Sequence, residues 1–180
     1  MTKARTLANL ANGTGLTLIQ QEVITTAVSA VDFDLPAEYS RYKLFLDDMS
    51  FSNTTYQARL RVSTDGGSTF DTTADYKSYS FAPASYGSGS NNTTNTGGLN
   101  GMILTPFASS IANDDINAHY DMIVNDTALS LGGFVNYDIS GTYAHHRKNT
   151  AARVDAIRVY SLIDNFTAGT ISLYAYKETI

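Results

Sequence analysis

The side chains able to do chemistry are few and scattered. The chain has no cysteine and only three histidines, which excludes a disulfide framework, a thiolate metal site and a cysteine nucleophile. Asp114-Asp115, Asp121 and Asp126, with Asn113 and Asn125 beside them, offer the hard oxygen ligands that Ca²⁺ takes. Their spacing is not that of an EF-hand, and Asp and Asn are ordinary residues of solvated turns. Solvated loop ends are therefore the favoured reading, with Ca²⁺ binding the alternative. Asp47-Asp48 are neighbours on a strand and point to opposite faces, one of them suited to cap a turn. Paired acid–base carboxylates need a defined separation across a cleft, which adjacency does not supply. His145-His146-Arg147-Lys148 lies between Gly141 and Asn149 and reads as an exposed basic loop, since strand neighbours are poor chelate partners. The sharper reading of that run is a contact with an acidic neighbouring subunit or a surface glycan. His119 falls in a strand and reads as a packed histidine. No nucleophile elbow, zinc-protease motif or phosphate-binding glycine loop occurs. The expectation is a protein with no catalytic residue, no metal and no cofactor.

The elements that would hold these groups are strands. Ala30–Leu35 alternates, with Val31, Phe33 and Leu35 on one face, and Pro36 ends it. Tyr42, Leu44 and Leu46 oppose Arg41, Lys43 and Asp47. Tyr56, Ala58, Leu60 and Val62 alternate with Gln57, Arg59, Arg61 and Ser63, the cleanest period-two segment of the chain. Ile116, Ala118, Tyr120, Met122 and Val124 form another apolar face. Leu131–Ile139 follows, with Gly132-Gly133 expected to mark a bulge. In the last run Ile171, Leu173 and Ala175 face one way, and Ser172, Tyr174 and Tyr176 the other. With Leu16–Ser29, Asp75–Phe81, Leu99–Leu104 and Val154–Ile163 this makes eight to ten strands. The stretch Pro83–Gly98 is low in complexity and reads as a long loop. The architecture expected is an all-β antiparallel β-sandwich, jelly-roll-like, spanning 16–180 as one domain. Residues 1–15 read as a short N-terminal helix or arm, with Ala4, Leu7 and Leu10 as its apolar stripe. Alone it would be marginal, so it is expected to lean on its own domain or on another subunit.

The totals narrow the function classes. Net charge is −5 with charged residues at 16%, and no basic run or patch suggests nucleic acid. No apolar stretch reaches the length of a membrane-spanning helix. The opening MTKARTLANLANG has no apolar core of the signal-peptide kind, so no signal peptide is expected. Twelve tyrosines and eight phenylalanines suit half-buried strands and wet contacts.

Two resemblances rest on particular residues. Ser63-Thr64-Asp65-Gly66-Gly67-Ser68-Thr69-Phe70 resembles the Asp-box hairpin of sialidase-type propellers, with Phe70 where that family has Trp. It occurs once and implies a structural hairpin at Asp65, Gly66 and Gly67, without catalysis. Thr2-Lys3-Ala4-Arg5-Thr6-Leu7-Ala8-Asn9 resembles the opening of tail-fibre and other virion proteins of bacteriophages, especially those of cyanobacteria and marine bacteria, with Thr6 where that family often has Asp. The runs Val31-Asp32-Phe33, Tyr39-x-x-Tyr42-x-Leu44, Leu60 to Phe70, Tyr76-x-x-Tyr79 and Gly169-x-Ile171-x-Leu173-Tyr174 are similar to a module of such proteins. The resemblance implies a β-sandwich of the capsid-decoration or tail-fibre kind, a homotrimer with other virion proteins as partners, assembled in the host bacterial cytoplasm. It carries no catalytic residue.

Two functions follow as expectations. In a capsid decoration or cement protein, the N-terminal arm, with Lys3, Arg5, Leu7 and Leu10, makes the assembly contact. In a tail-fibre or tail-appendage module, Tyr79, Tyr86, Asn91 and Asn92 line a loop that binds a host-surface glycan.

Overall fold

The computed structural model describes residues 15–52, 57–82, 92–105, 116–137 and 140–177. It is all-β, an antiparallel sandwich of two sheets, with no helix among the described residues. The N-terminal arm, Tyr86 and Asn91 lie outside the described residues, as do Asp114 and Asp115.

The described residues form twelve strands: β1 Leu16–Ile24, β2 Ala30–Asp34, β3 Arg41–Phe51, β4 Ala58–Ser63, β5 Tyr76–Ala82, β6 Asn92–Leu99, β7 Met102–Ile103, β8 Ile116–Asn125, β9 Ala128–Tyr137, β10 Ser140–Asn149, β11 Ala156–Ser161 and β12 Phe166–Tyr176. The larger sheet runs β1-β12-β3-β8-β9-β10-β5-β6 and the smaller β2-β11-β4-β7. The period-two pattern sets the inner faces. In β8, Ile116, Ala118, Tyr120, Met122 and Val124 are buried while His119, Asp121 and Ile123 are exposed. In β3, Tyr42, Leu44 and Leu46 are fully buried. Val31 and Phe33 of β2, Leu60 and Val62 of β4, and Ile171, Leu173 and Ala175 of β12 join them in one core. Apolar burial of this kind is the main favourable term in folding.

Two strands exceed the expected set. The second half of the presumed Pro83–Gly98 loop is β6, which pairs along β5 from Tyr76↔Leu99 to Ala82↔Asn92. Its sequence, NTTNTGGL, carries no apolar alternation because it is an edge strand held by ladder bonds. The basic run is not a loop either. It lies in β10, paired with β9 throughout and with β5 as far as Arg147, with His146 and Lys148 buried and His145 and Arg147 exposed. Polar residues thus occupy inward positions, which is why the run lacks the apolar signature of a strand.

The bulge expected at Gly132-Gly133 is absent: registers to β8 and β10 run through both glycines without a shift. The glycine at 133 answers a close approach instead. A Cβ there would stand 2.0 Å from the His119 carbonyl oxygen and 2.6 Å from the Tyr120 ring. At 132 a Cβ would meet only His145 Cδ2, at 3.7 Å. Gly133→Ala is therefore expected to cost about 2–3 kcal/mol through overpacking, and Gly132→Ala less than about 0.5 kcal/mol. Urea denaturation of the pair checks this contrast.

The irregularity falls instead at Asp47-Asp48. The β3–β8 register shifts between Leu46 and Met49, both buried, and Asp48 takes φ 52°. Opposite, Gly169 takes φ 120°, and a Cβ there would lie 2.9 Å from Asp48 O. Both aspartates are consequently exposed at the bulge rather than on opposite faces. The Asp48 N–H donates to Asn117 Oδ1 at 3.0 Å.

Candidate functional site

The inner face of the larger sheet is occupied by the core, so what remains is its outer face. Cross-strand register sets Phe45 beside His119, His119 beside Phe134, and Phe134 beside Tyr143. The rings meet in sequence: His119 and Phe134 lie 6.1 Å apart, and Phe134 and Tyr143 5.0 Å apart. Phe45 in turn packs edge-on against Tyr174 at 5.6 Å. An aromatic row therefore crosses four strands on the solvent side, with Tyr143 60% exposed at its end. Aromatic rings in this number on an open face are the usual material of contact surfaces. His119, expected to be packed, is exposed within this row, because its neighbours in β8 are the inward ones.

The next row holds a depression. Gly132 stands between Asp121 of β8 and His145 of β10 in the register. Where alternation would put a side chain, glycine leaves a cavity of about 210 Å³ lined by Arg41, Asp121, Ile123, Ser130, His145 and Tyr176, among others. The Tyr176 hydroxyl donates to Asp121 Oδ1 at 2.6 Å, and Lys43 Nζ lies 3.5 Å from the same oxygen. The bond to Asp121 raises the Tyr176 phenol above its ordinary value. The Arg41 guanidinium sits 5.0 Å from the Tyr176 ring centre. Among the described residues it forms no ion pair. Tyr79, proposed from sequence as a surface-binding residue, is 41% exposed on β5 and pairs with His145 beside this depression. Asn92 belongs to β6 rather than to a loop.

The charge of the face is distinctive. Arg41, Lys43, Lys77 and Arg147 stand against Asp121 and Asp47, on a chain whose net charge is −5. Asp47 itself is raised in pKa, first by partial burial and then by the neighbouring charge of Asp48. Of the carboxylates considered for Ca²⁺, Asp121 and Asp126 are exposed, and Asp121 is engaged by Lys43 and Tyr176. Among the described residues no group of three or more His, Cys, Asp or Glu side chains could hold a metal ion.

Two other clusters are architectural. In the Ser63–Phe70 turn, Asp65 accepts from the Thr69 hydroxyl at 2.6 Å, the Thr69 N–H at 2.9 Å and the Ser63 hydroxyl at 2.7 Å. These bonds hold its carboxyl down at about 2. Gly66 and Gly67 take φ 71° and 79°. The Asp71 N–H returns to Val62 O at 2.8 Å, after which the chain leaves the smaller sheet and enters the larger as β5. Beneath the larger sheet, Lys148 Nζ contacts Asp71 Oδ2 at 2.7 Å, Thr73 Oγ1 at 2.8 Å and Asp75, and lies 4.6 Å from the Tyr76 ring centre. The Tyr76 hydroxyl donates to Asp71 O at 2.9 Å and accepts the Val62 N–H at 3.2 Å, joining the two sheets.

The outer face was half legible in the sequence. Tyr174 and Tyr176 already stood on the side opposite the apolar one, but Arg41, Phe45, Phe134 and Tyr143 come together only through strand order. No protein-family model matches the chain, and no curated protein matches it.

Proposed function

We propose that this chain is a structural component of a bacteriophage particle, of the capsid decoration or cement kind, acting through subunit contacts rather than catalysis. The observation that carries the reading is the aromatic row Phe45–His119–Phe134–Tyr143 on the open face of the larger sheet, half-buried at Phe45 and Phe134 and exposed at His119 and Tyr143. Contact surfaces concentrate their binding energy in such rings, with polar residues around them. The virion assignment itself draws on the resemblance in Thr2–Asn9 and Leu60–Phe70, and the expected unit is a homotrimer. Light scattering on the purified chain tests the assembly. The expected result is a trimer mass that falls to the monomer in Tyr143→Lys, with the melting temperature unchanged. A monomeric parent chain would overturn the self-assembly reading. In particles carrying the chain, copies counted in hundreds on the capsid lattice support cement.

The second reading is a tail-fibre or tail-appendage module that binds a host-surface glycan. One observation favours it: the depression over Gly132, where an aromatic wall stands beside hydrogen-bonding groups. A handful of copies at the tail supports this role.

A further inference from the structure

We propose that the depression over Gly132 binds a carboxylate-bearing sugar ring, a uronic-acid unit of an acidic polysaccharide. The inference deepens the adhesion reading and rests on it.

Size comes first. The cavity of about 210 Å³ is smaller than the roughly 300–1,000 Å³ of sites for drug-sized ligands. It suits one ring, not an extended molecule. Its walls are divided in the way a sugar ring is divided. Ile123, 45% exposed, and the ring of Tyr176 present apolar surface to the C–H face of a pyranose. Tyr176 is fixed in place by its bond to Asp121 and by the Arg41 guanidinium beside its ring. Asp121, Ser130 and His145 present acceptors and donors for ring hydroxyls around the same space.

Charge then selects among sugars. Asp121 is compensated by Lys43 at 3.5 Å and by the Tyr176 hydroxyl, so its repulsion of an anion is weakened. Arg41 has no carboxylate partner among the described residues, and its planar guanidinium matches a carboxylate in bidentate fashion. A neutral sugar would offer that charge no carboxylate to pair with. Lys77 and Arg147 extend the positive surface beyond the depression, and Tyr79 and Tyr143 extend the aromatic one. That continuity favours a chain of sugars over a single unit.

Titration calorimetry of the full chain with tetragalacturonate, and with maltotetraose as the neutral counterpart, tests the site. The variants are Arg41→Gln and Gly132→Leu. The second fills the depression, and its Cβ meets only ordinary contact, at 3.7 Å from His145 Cδ2; a thermal melt verifies that it folds. The expected result is binding of tetragalacturonate that weakens with salt and is about tenfold weaker in each variant, with no binding of maltotetraose. Equal binding of maltotetraose overturns the selection for an acidic sugar. Binding of tetragalacturonate that survives Gly132→Leu overturns the site while leaving the adhesion reading intact. Absence of binding to these sugars and to a panel of host polysaccharides overturns both.

Discussion

Changing both Asp71 and Asp75 to Asn is expected to lower the unfolding free energy by about 3 kcal/mol, near the lower end of the cost of breaking a buried ion pair. The reason lies in an asymmetry of burial. The Lys148 side chain is 1% exposed, whereas Asp71 and Asp75 are 30% and 60% exposed. Removing the carboxylates leaves an ammonium in the core with no counter-charge, held only by neutral groups: the Asn amide oxygens, the Thr73 hydroxyl and the face of Tyr76. Removing the cation leaves carboxylates that water already reaches. Lys148→Met, close in shape and apolar, is therefore expected to cost less, about 1–2 kcal/mol. Urea denaturation at pH 7 measures both, since urea leaves the charges unscreened where a salt denaturant would not. Equal losses in the two variants would refute the asymmetry. The same contacts set an acid limit. The Asp71 carboxyl feels partial burial, which raises its pKa, but the bonds from Lys148 and Thr73 outweigh it and the net shift is downward. The Lys148 bond is the main cause for Asp75, also lowered. Groups with a depressed folded pKa stabilise fully above their unfolded value, about 3.9 for Asp, and that contribution fades as pH falls below it.

A second loss of stability is expected to begin at higher pH, and it belongs to His146. Its ring is buried, 5.8 Å from that of Tyr120. Nδ1 lies 2.9 Å from Ser78 Oγ, and Nε2 meets no partner among the described residues. Burial, helped by the charge of His145, pushes its pKa down to about 3. The unfolded histidine takes up a proton near pH 6.5, which the folded one refuses until about pH 3. Between those values the unfolded state binds more protons, so stability falls as pH falls, by up to about 1.4 kcal/mol per unit. Above pH 6.5 the contribution is constant. From pH 6.5 to 4.5 the expected loss is about 2–3 kcal/mol, above the range where the Asp71 and Asp75 contribution fades. Denaturation curves at pH 7.5, 6.5, 5.5 and 4.5 check it, with His146→Leu expected to flatten the slope. A parent chain equally stable at pH 6.5 and 4.5 would contradict a buried neutral imidazole.

These two groups also mark where reading the sequence stops. Alternation in β2, β3, β4, β8 and β12 is written in the residues themselves, because a half-buried strand must send every second side chain into the core. The missing cysteines and the single Asp-Gly-Gly turn are equally plain, and together they suffice for an all-β sandwich. Periodicity says which residues share a face, but not which strand lies alongside. His146 and Lys148 are polar residues at inward positions. They are tolerated only because Ser78, Thr73, Asp71 and Asp75, some 70 residues away in sequence, are delivered to them by the β5–β10 pairing. β6 has no apolar face at all and exists by its ladder to β5. The outer face is the same case. Phe45, His119, Phe134 and Tyr143 are four unremarkable outward residues on four strands until strand order β3-β8-β9-β10 sets them in one row, with Gly132 opening a space beside them. Local sequence determines the class of fold because side-chain alternation is a property of one strand. The tertiary structure alone decides which residues share the outer face, because a face is made of strands brought together from across the chain.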